Sequence, residues 1–137
     1  MTYRVHRHAT AQAFLDRAEA WLMQAEAEHN LILGLARRLT ESTDGYDPPI
    51  YLASVEDEDG VVGCAYRTPP YKFGLTRMPE EALPLLVDDA AEVYASLPAA
   101  LGPMPETRRF AAHSLNKASF TGTLKAIFSS VLRISMV

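Results

Sequence analysis

Val61–Leu75, VVGCAYRTPPYKFGL, is the stretch whose reading decides the fold. Val61, Val62, Cys64 and Tyr66 favour an extended chain, and the turn residues around this short apolar run make it a buried strand. Tyr51 to Val55 is a second run of the same kind, so 51–66 reads as a hairpin with its loop at Asp57 to Gly60. Pro69 and Pro70 each fix φ and lack a backbone donor, and Pro69 holds Thr68 extended. The ladder must break there, and Tyr71 to Leu75 can resume as a third strand. Two readings of the corner stand. Its unpaired backbone groups are offered to a ligand, or it is a solvated turn at a sheet edge.

Outward from the hairpin, the chain alternates. Thr2 to His6 forms a short edge strand pattern. Thr10 is a helix N-cap, after which Phe14, Leu15, Ala18, Trp21, Leu22 and Ala25 make one apolar stripe. His29-Asn30 interrupts it, and Leu31, Ile32, Leu35, Ala36 and Leu39 begin a second helix. Gly34 within it points to a close contact with another backbone, and Arg37 and Arg38 suit the helix C-terminus. Thr43 to Pro49 is a loop by composition. Beyond the third strand, Pro79 or Pro84 starts a helix carrying Leu85, Leu86, Ala90, Val93, Tyr94 and Leu97. A short strand at Leu101 and a helix over Glu106 to Leu115 follow. The fold class is therefore α/β in the α+β sense, a mostly antiparallel sheet flanked by helices.

A chain of 137 residues forms one domain, and 48% hydrophobic with 22% charged residues is ordinary for a globular protein. A net charge of −4 leaves no general nucleic-acid footprint, and the acidic face of the first helix pair argues for core packing over DNA reading. Cys64 is the one cysteine, so no internal disulfide forms. A reducing cytoplasm suits that, and the thiol reads as a buried structural group. His6 and His8 share one side of a strand, but no third ligand accompanies them and no metal is expected. Six acids and no base lie between Met78 and Thr107, a solvated acidic face. The N-terminal MTYRVHRHAT has no signal-peptide pattern, and no run is long enough to span a bilayer. The organisation is a domain over 1–113 and an atypical apolar tail over 114–137. That tail, with Lys117, Lys125 and Arg133 and no acid, packs on the domain or on a second copy as a homodimer, with no membrane partner expected.

Three pieces of sequence resemble a bacterial two-domain GNAT subfamily of acetyl-CoA-dependent N-acetyltransferases. Phe14-Leu15-Asp16-Arg17-Ala18-Glu19 with Trp21-Leu22 and Glu26, then Asn30-Leu31-Ile32-Leu33-Gly34, resembles its opening helices. Gly63 with Ala65, followed by Arg67-Thr68-Pro69-Pro70-Tyr71, resembles its hairpin and corner. Leu101-Gly102-Pro103 before a helix fits as well, and the similarity spans residues 3 to 113. The resemblance implies a GNAT-like sheet that is incomplete, the N-terminal half of an enzyme taking an amine or other small-molecule acceptor. It makes Arg67, Thr68 and Tyr71 the acceptor-side contacts.

The chain departs from the family at the strand–helix junction, where GNAT enzymes cradle the CoA pyrophosphate on a glycine-rich turn. Thr76 to Glu81 has no glycine, Pro79 removes a donor, and Glu80 and Glu81 add negative charge. Only Arg77 favours an anion there. The chain is therefore expected to bind no cofactor alone and to perform no catalysis by itself, although acetyl-CoA is the family's cofactor. It reads as a truncated or frame-shifted form of a longer enzyme, or as a genuinely short protein. Two alternatives are a stand-alone scaffold that self-associates through 114–137 and a complete small acetyltransferase with a non-standard cofactor site. No general base is nominated among His6, His8, His29 and His113.

Overall fold

A computed structural model describes residues 2–97 and 99–115. The tail from 116 onward, and with it self-association through 114–137, lies outside the described residues. The order is β1 (Arg4–Arg7), α1 (Ala11–Met23), α2 (Asn30–Leu39), β2 (Tyr51–Asp57), β3 (Gly60–Arg67), β4 (Phe73–Leu75), α3 (Leu83–Val93), β5 (Ala100–Leu101) and α4 (Met104–Leu115). One sheet runs β1-β2-β3-β4-β5. Its first three pairs are antiparallel, and β4 and β5 pair in parallel through Phe73↔Ala100 and Gly74↔Leu101. The mostly antiparallel sheet flanked by helices is thus observed.

Alternation along the strands sorts two cores onto the two faces. Tyr51, Ala53 and Val55 of β2, Ala65 of β3 and Phe73 of β4 pack with Leu83, Leu86, Ala90 and Phe110 from α3 and α4. Leu52, Cys64 and Tyr66 point the other way and pack with Phe14, Ala18, Leu22, Ile32 and Leu35 from α1 and α2. Phe110 stacks on Phe73 at 5.0 Å between ring centroids, pinning α4 to the sheet. Thr10 caps α1 as its residue type predicts, its hydroxyl accepting from the Ala13 amide at 3.1 Å. The break between α1 and α2 is longer than His29-Asn30 and occupies Gln24 to His29. Both proline signals before α3 are used: Pro79 precedes a single 3-10 turn, Glu80–Ala82, and Pro84 sits in the first turn of α3.

The corner at Thr68–Tyr71 is internally satisfied. The Pro69–Pro70 bond is cis, and the Tyr71 amide donates to Thr68 O at 2.9 Å, closing a turn of the type that takes a cis proline. The Asp47 amide donates to Pro69 O at 2.9 Å, and Arg67 Nε donates to Tyr71 O at 2.9 Å. The Thr68, Pro69 and Tyr71 carbonyls already have donors and are not on offer to a ligand. The turn is solvated at Pro70 and Tyr71, as the second reading has it, but it does not lie at a sheet edge, since the strand it terminates is the middle one. Among the described residues no helix is long and apolar enough to cross a membrane.

Candidate functional site

Tyr66 and Gly74 face each other in the β3–β4 register. The Tyr66 ring lies flat across Gly74, so close that a Cβ at position 74 would sit 2.2 Å from a ring carbon. Glycine is needed there for space. It lets the buried Tyr66 side chain floor a groove between α2 and the β3–β5 part of the sheet. The groove has two chambers that share Leu31, Tyr66 and Leu101.

The larger chamber, about 830 Å³, opens at the C-terminal ends of β4 and β5. Thr76, Arg77, His29 and the Gly102–Pro105 segment wall it. Gly102 takes φ +151°, a left-handed value favouring glycine, and a Cβ there would meet Leu75 O at 2.4 Å. His29 is buried, its Nδ1 donates to Leu22 O at 2.8 Å, and its ring stacks on Trp21 at 4.9 Å. Arg77 Nε pairs with Glu28 Oε1 at 2.7 Å. At the same junction Thr76 replaces a ladder carbonyl with its hydroxyl, which accepts from the Cys64 amide at 2.9 Å. Glu80 pairs with Arg109 at 3.3 Å. The one cation of this segment that could meet a phosphate is thus already beside a carboxylate, and Glu80 and Glu81 head the turn that leads into α3.

The smaller chamber, about 550 Å³, lies at the N-terminal ends of β4 and β5. Thr68 and Tyr71 line it, together with Leu35, Arg38, Tyr46 and Lys72. Tyr46 and Tyr71 meet edge to face at 6.0 Å. Leu31 is 56% exposed and Tyr71 60%, so the apolar wall is open to solvent. Burial alone pushes the Tyr66 phenol up to about 12, so it stays protonated and a hydrogen-bond donor.

Of the sequence-predicted acceptor contacts, Thr68 and Tyr71 come together in this chamber. Arg67 turns to the other face of the sheet, where its guanidinium sits 4.4 Å over the Tyr94 ring. It touches the chamber through Tyr71, whose carbonyl it holds. Burial lowers the Arg67 pKa, and the Tyr94 phenol works against that. The residues that sequence reasoning missed are Leu31, Arg38, Tyr66 and Lys72. Leu31 counts toward the α2 stripe by periodicity but stands outside the core, whose place Leu33 takes. Gly34 has no foreign backbone against it. The nearest group is the Arg38 guanidinium, 3.5 Å from where a Cβ would be.

A second polar cluster sits on the α1 side of the sheet. Ser54 Oγ donates to Glu56 Oε2 at 2.8 Å, and His8 Nε2 lies 2.9 Å from the same hydroxyl. With the serine proton committed to the carboxylate, His8 Nε2 is the donor in that second bond. Arg17 closes the chain with Nε 3.1 Å from Glu56 Oε1. Ser54 is fully buried and its proton faces a carboxylate, so this is a structural chain and not a nucleophile with its base. His6 stacks on His8 at 4.6 Å, and among the described residues no group of three metal-ligating side chains occurs. Cys64 is free and fully buried, and burial pushes its thiol well above the usual range.

Comparison with protein families, with curated proteins and with solved structures finds no match.

Proposed function

We propose that residues 1–113 are a GNAT-type acyltransferase domain of the acceptor-holding kind, which engages a small-molecule acceptor and does not itself bind acetyl-CoA. The resemblance rests on the three sequence pieces at 14–34, 63–71 and 101–103. The observed element order, a strand, two helices, a hairpin, a third strand, a helix, a short strand and a helix, is compatible with it. The observation that carries the cofactor-free reading is the junction between β4 and α3. Pro79 precedes the 3-10 turn, acids follow it, and Arg77 is held by Glu28. A pyrophosphate there would meet the Glu81 carboxylate, a Glu80 carboxylate paired with Arg109 and an Arg77 cation paired with Glu28, with no glycine turn to supply donors. Thr68 and Tyr71 are the acceptor-side contacts, and Arg67 positions Tyr71 from behind. A reducing cytoplasm suits the free Cys64.

Thermal melting with acetyl-CoA tests this. A ligand that binds the folded state must raise the midpoint. Millimolar acetyl-CoA is expected to leave it unchanged. A rise that Arg77→Ala abolishes would place the cofactor at this junction and overturn the proposal.

A further inference from the structure

The smaller chamber, which holds the acceptor contacts Thr68 and Tyr71, also carries charge that the acyltransferase reading leaves unused. The chain as a whole is acidic, with a net charge of −4. Yet the charged side chains lining this chamber are Arg38 and Lys72, and no carboxylate lines it. Among the described residues neither cation has a carboxylate within ion-pair distance, a state they share with Arg4, Arg67 and Arg108, and they are the two of these that line an apolar chamber. Arg38 folds back along α2 over Gly34, which leaves its guanidinium lying across the helix surface. Lys72 precedes β4 at the foot of the proline corner.

Between them the wall is apolar and aromatic. Leu31 and Tyr71 leave more than half their surface in water, a costly arrangement for large apolar side chains that face each other across a cleft. The chamber volume of about 550 Å³ falls within the range of small-molecule sites. Tyr66 adds a hydroxyl to which no group among the described residues is hydrogen-bonded, and its phenol stays protonated at neutral pH.

We propose that this chamber binds a small anionic amphiphile, a carboxylate or phosphate monoester carrying an aromatic or short acyl body. The anionic head lies between Arg38 and Lys72, and the body lies on Leu31, Tyr71 and Tyr66. Charge complementarity selects the anion, and the exposed apolar wall supplies the area that the body covers. A cation of the same shape is rejected because it would stand against two unpaired positive charges. The chamber is the one to which the acyltransferase reading gives Thr68 and Tyr71. As a statement about the acceptor the proposal therefore rests on that reading and narrows the acceptor to an anion, while the binding itself is independent of acetyl-CoA.

The test is titration calorimetry of the full chain with four probes that share one phenyl body. They are phenylacetate, phenyl phosphate, 2-phenylethanol and 2-phenylethylamine. The two anions are expected to bind at least tenfold tighter than the amine, with the alcohol between. Whichever anion is tighter distinguishes a carboxylate from a phosphate ligand. Arg38→Ala with Lys72→Ala should weaken the anions about tenfold and leave the alcohol nearly unchanged. Both side chains reach solvent, so the pair should fold, and an unchanged thermal midpoint verifies that. Lys72→Glu should reverse the order of anion and amine. Equal affinity for anion and amine, an anion affinity indifferent to the double substitution, or no binding of either anion at millimolar concentration would each overturn the proposal.

Discussion

Among the described residues, Glu56 is the carboxylate that ties the fold's stability to acidic pH. It is 5% exposed, and the Arg17 hydrogen bond first, with Ser54 second, holds its carboxyl at about 2 against an ordinary 4.5, with burial opposing. A carboxylate whose folded pKa is depressed stabilises the protein above its unfolded value and loses that contribution as pH falls through the window between them. The contribution should therefore be whole above about 4.5 and gone near 2. Arg17 is half exposed, which discounts the ion pair and leaves on the order of 2 kcal/mol. Urea unfolding of Glu56→Gln is expected to show lower stability than the parent at neutral pH and a difference that closes on acidification to about pH 2. Curves that stay parallel across that window would mean that Glu56 is not held by Arg17 as described. The sequence placed Glu56 in an acidic run at a hairpin loop. Plain alternation from Leu52 and Ser54 already puts Glu56 on the α1 face; what one-dimensional patterning could not supply is its partner, because Arg17 lies 39 positions away.

Among elements, the proline corner after β3 is the one whose role changed most between sequence and structure. It ties three parts of the chain: the loop at Asp47, β3 through Arg67, and the end of α3 through Tyr94. The Tyr94 hydroxyl donates to Pro49 O at 2.5 Å, and its ring carries the Arg67 guanidinium. Tyr94→Phe keeps the ring and loses one hydrogen bond, so a loss of about 1 kcal/mol in urea unfolding is expected. Arg67→Ala removes the guanidinium from the ring and frees the Tyr71 carbonyl, and about 2 kcal/mol is expected. Tyr94→Leu removes the ring as well, and its combination with Arg67→Ala should lose less than the sum of the two singles, because the side chains share one contact. Strict additivity would show that the ring and the guanidinium do not interact.

At the scale of the whole molecule, two cores share one sheet. Phe14 and Phe110 are fully buried on opposite faces, one under α1 and one under α4. Truncating either to alanine should cost about 3–5 kcal/mol, since both sites are closely packed. Because β2 and β3 supply residues to both cores, each variant should still unfold in one transition, with fluorescence and circular dichroism coincident. Two transitions would mean that the layers fold separately. The order of strands and helices, the Thr10 cap and the hairpin were all legible in the sequence, because each depends on local periodicity or on what one side chain can cap. The side of the sheet to which Arg67 turns, the exposure of Leu31, the use that Arg38 makes of Gly34 and the pairing of Arg77 with Glu28 came only with the tertiary structure. Periodicity fixes which side of its own element a residue faces. What stands opposite that side is set by residues tens of positions away, and the groove is made of nothing but such pairings.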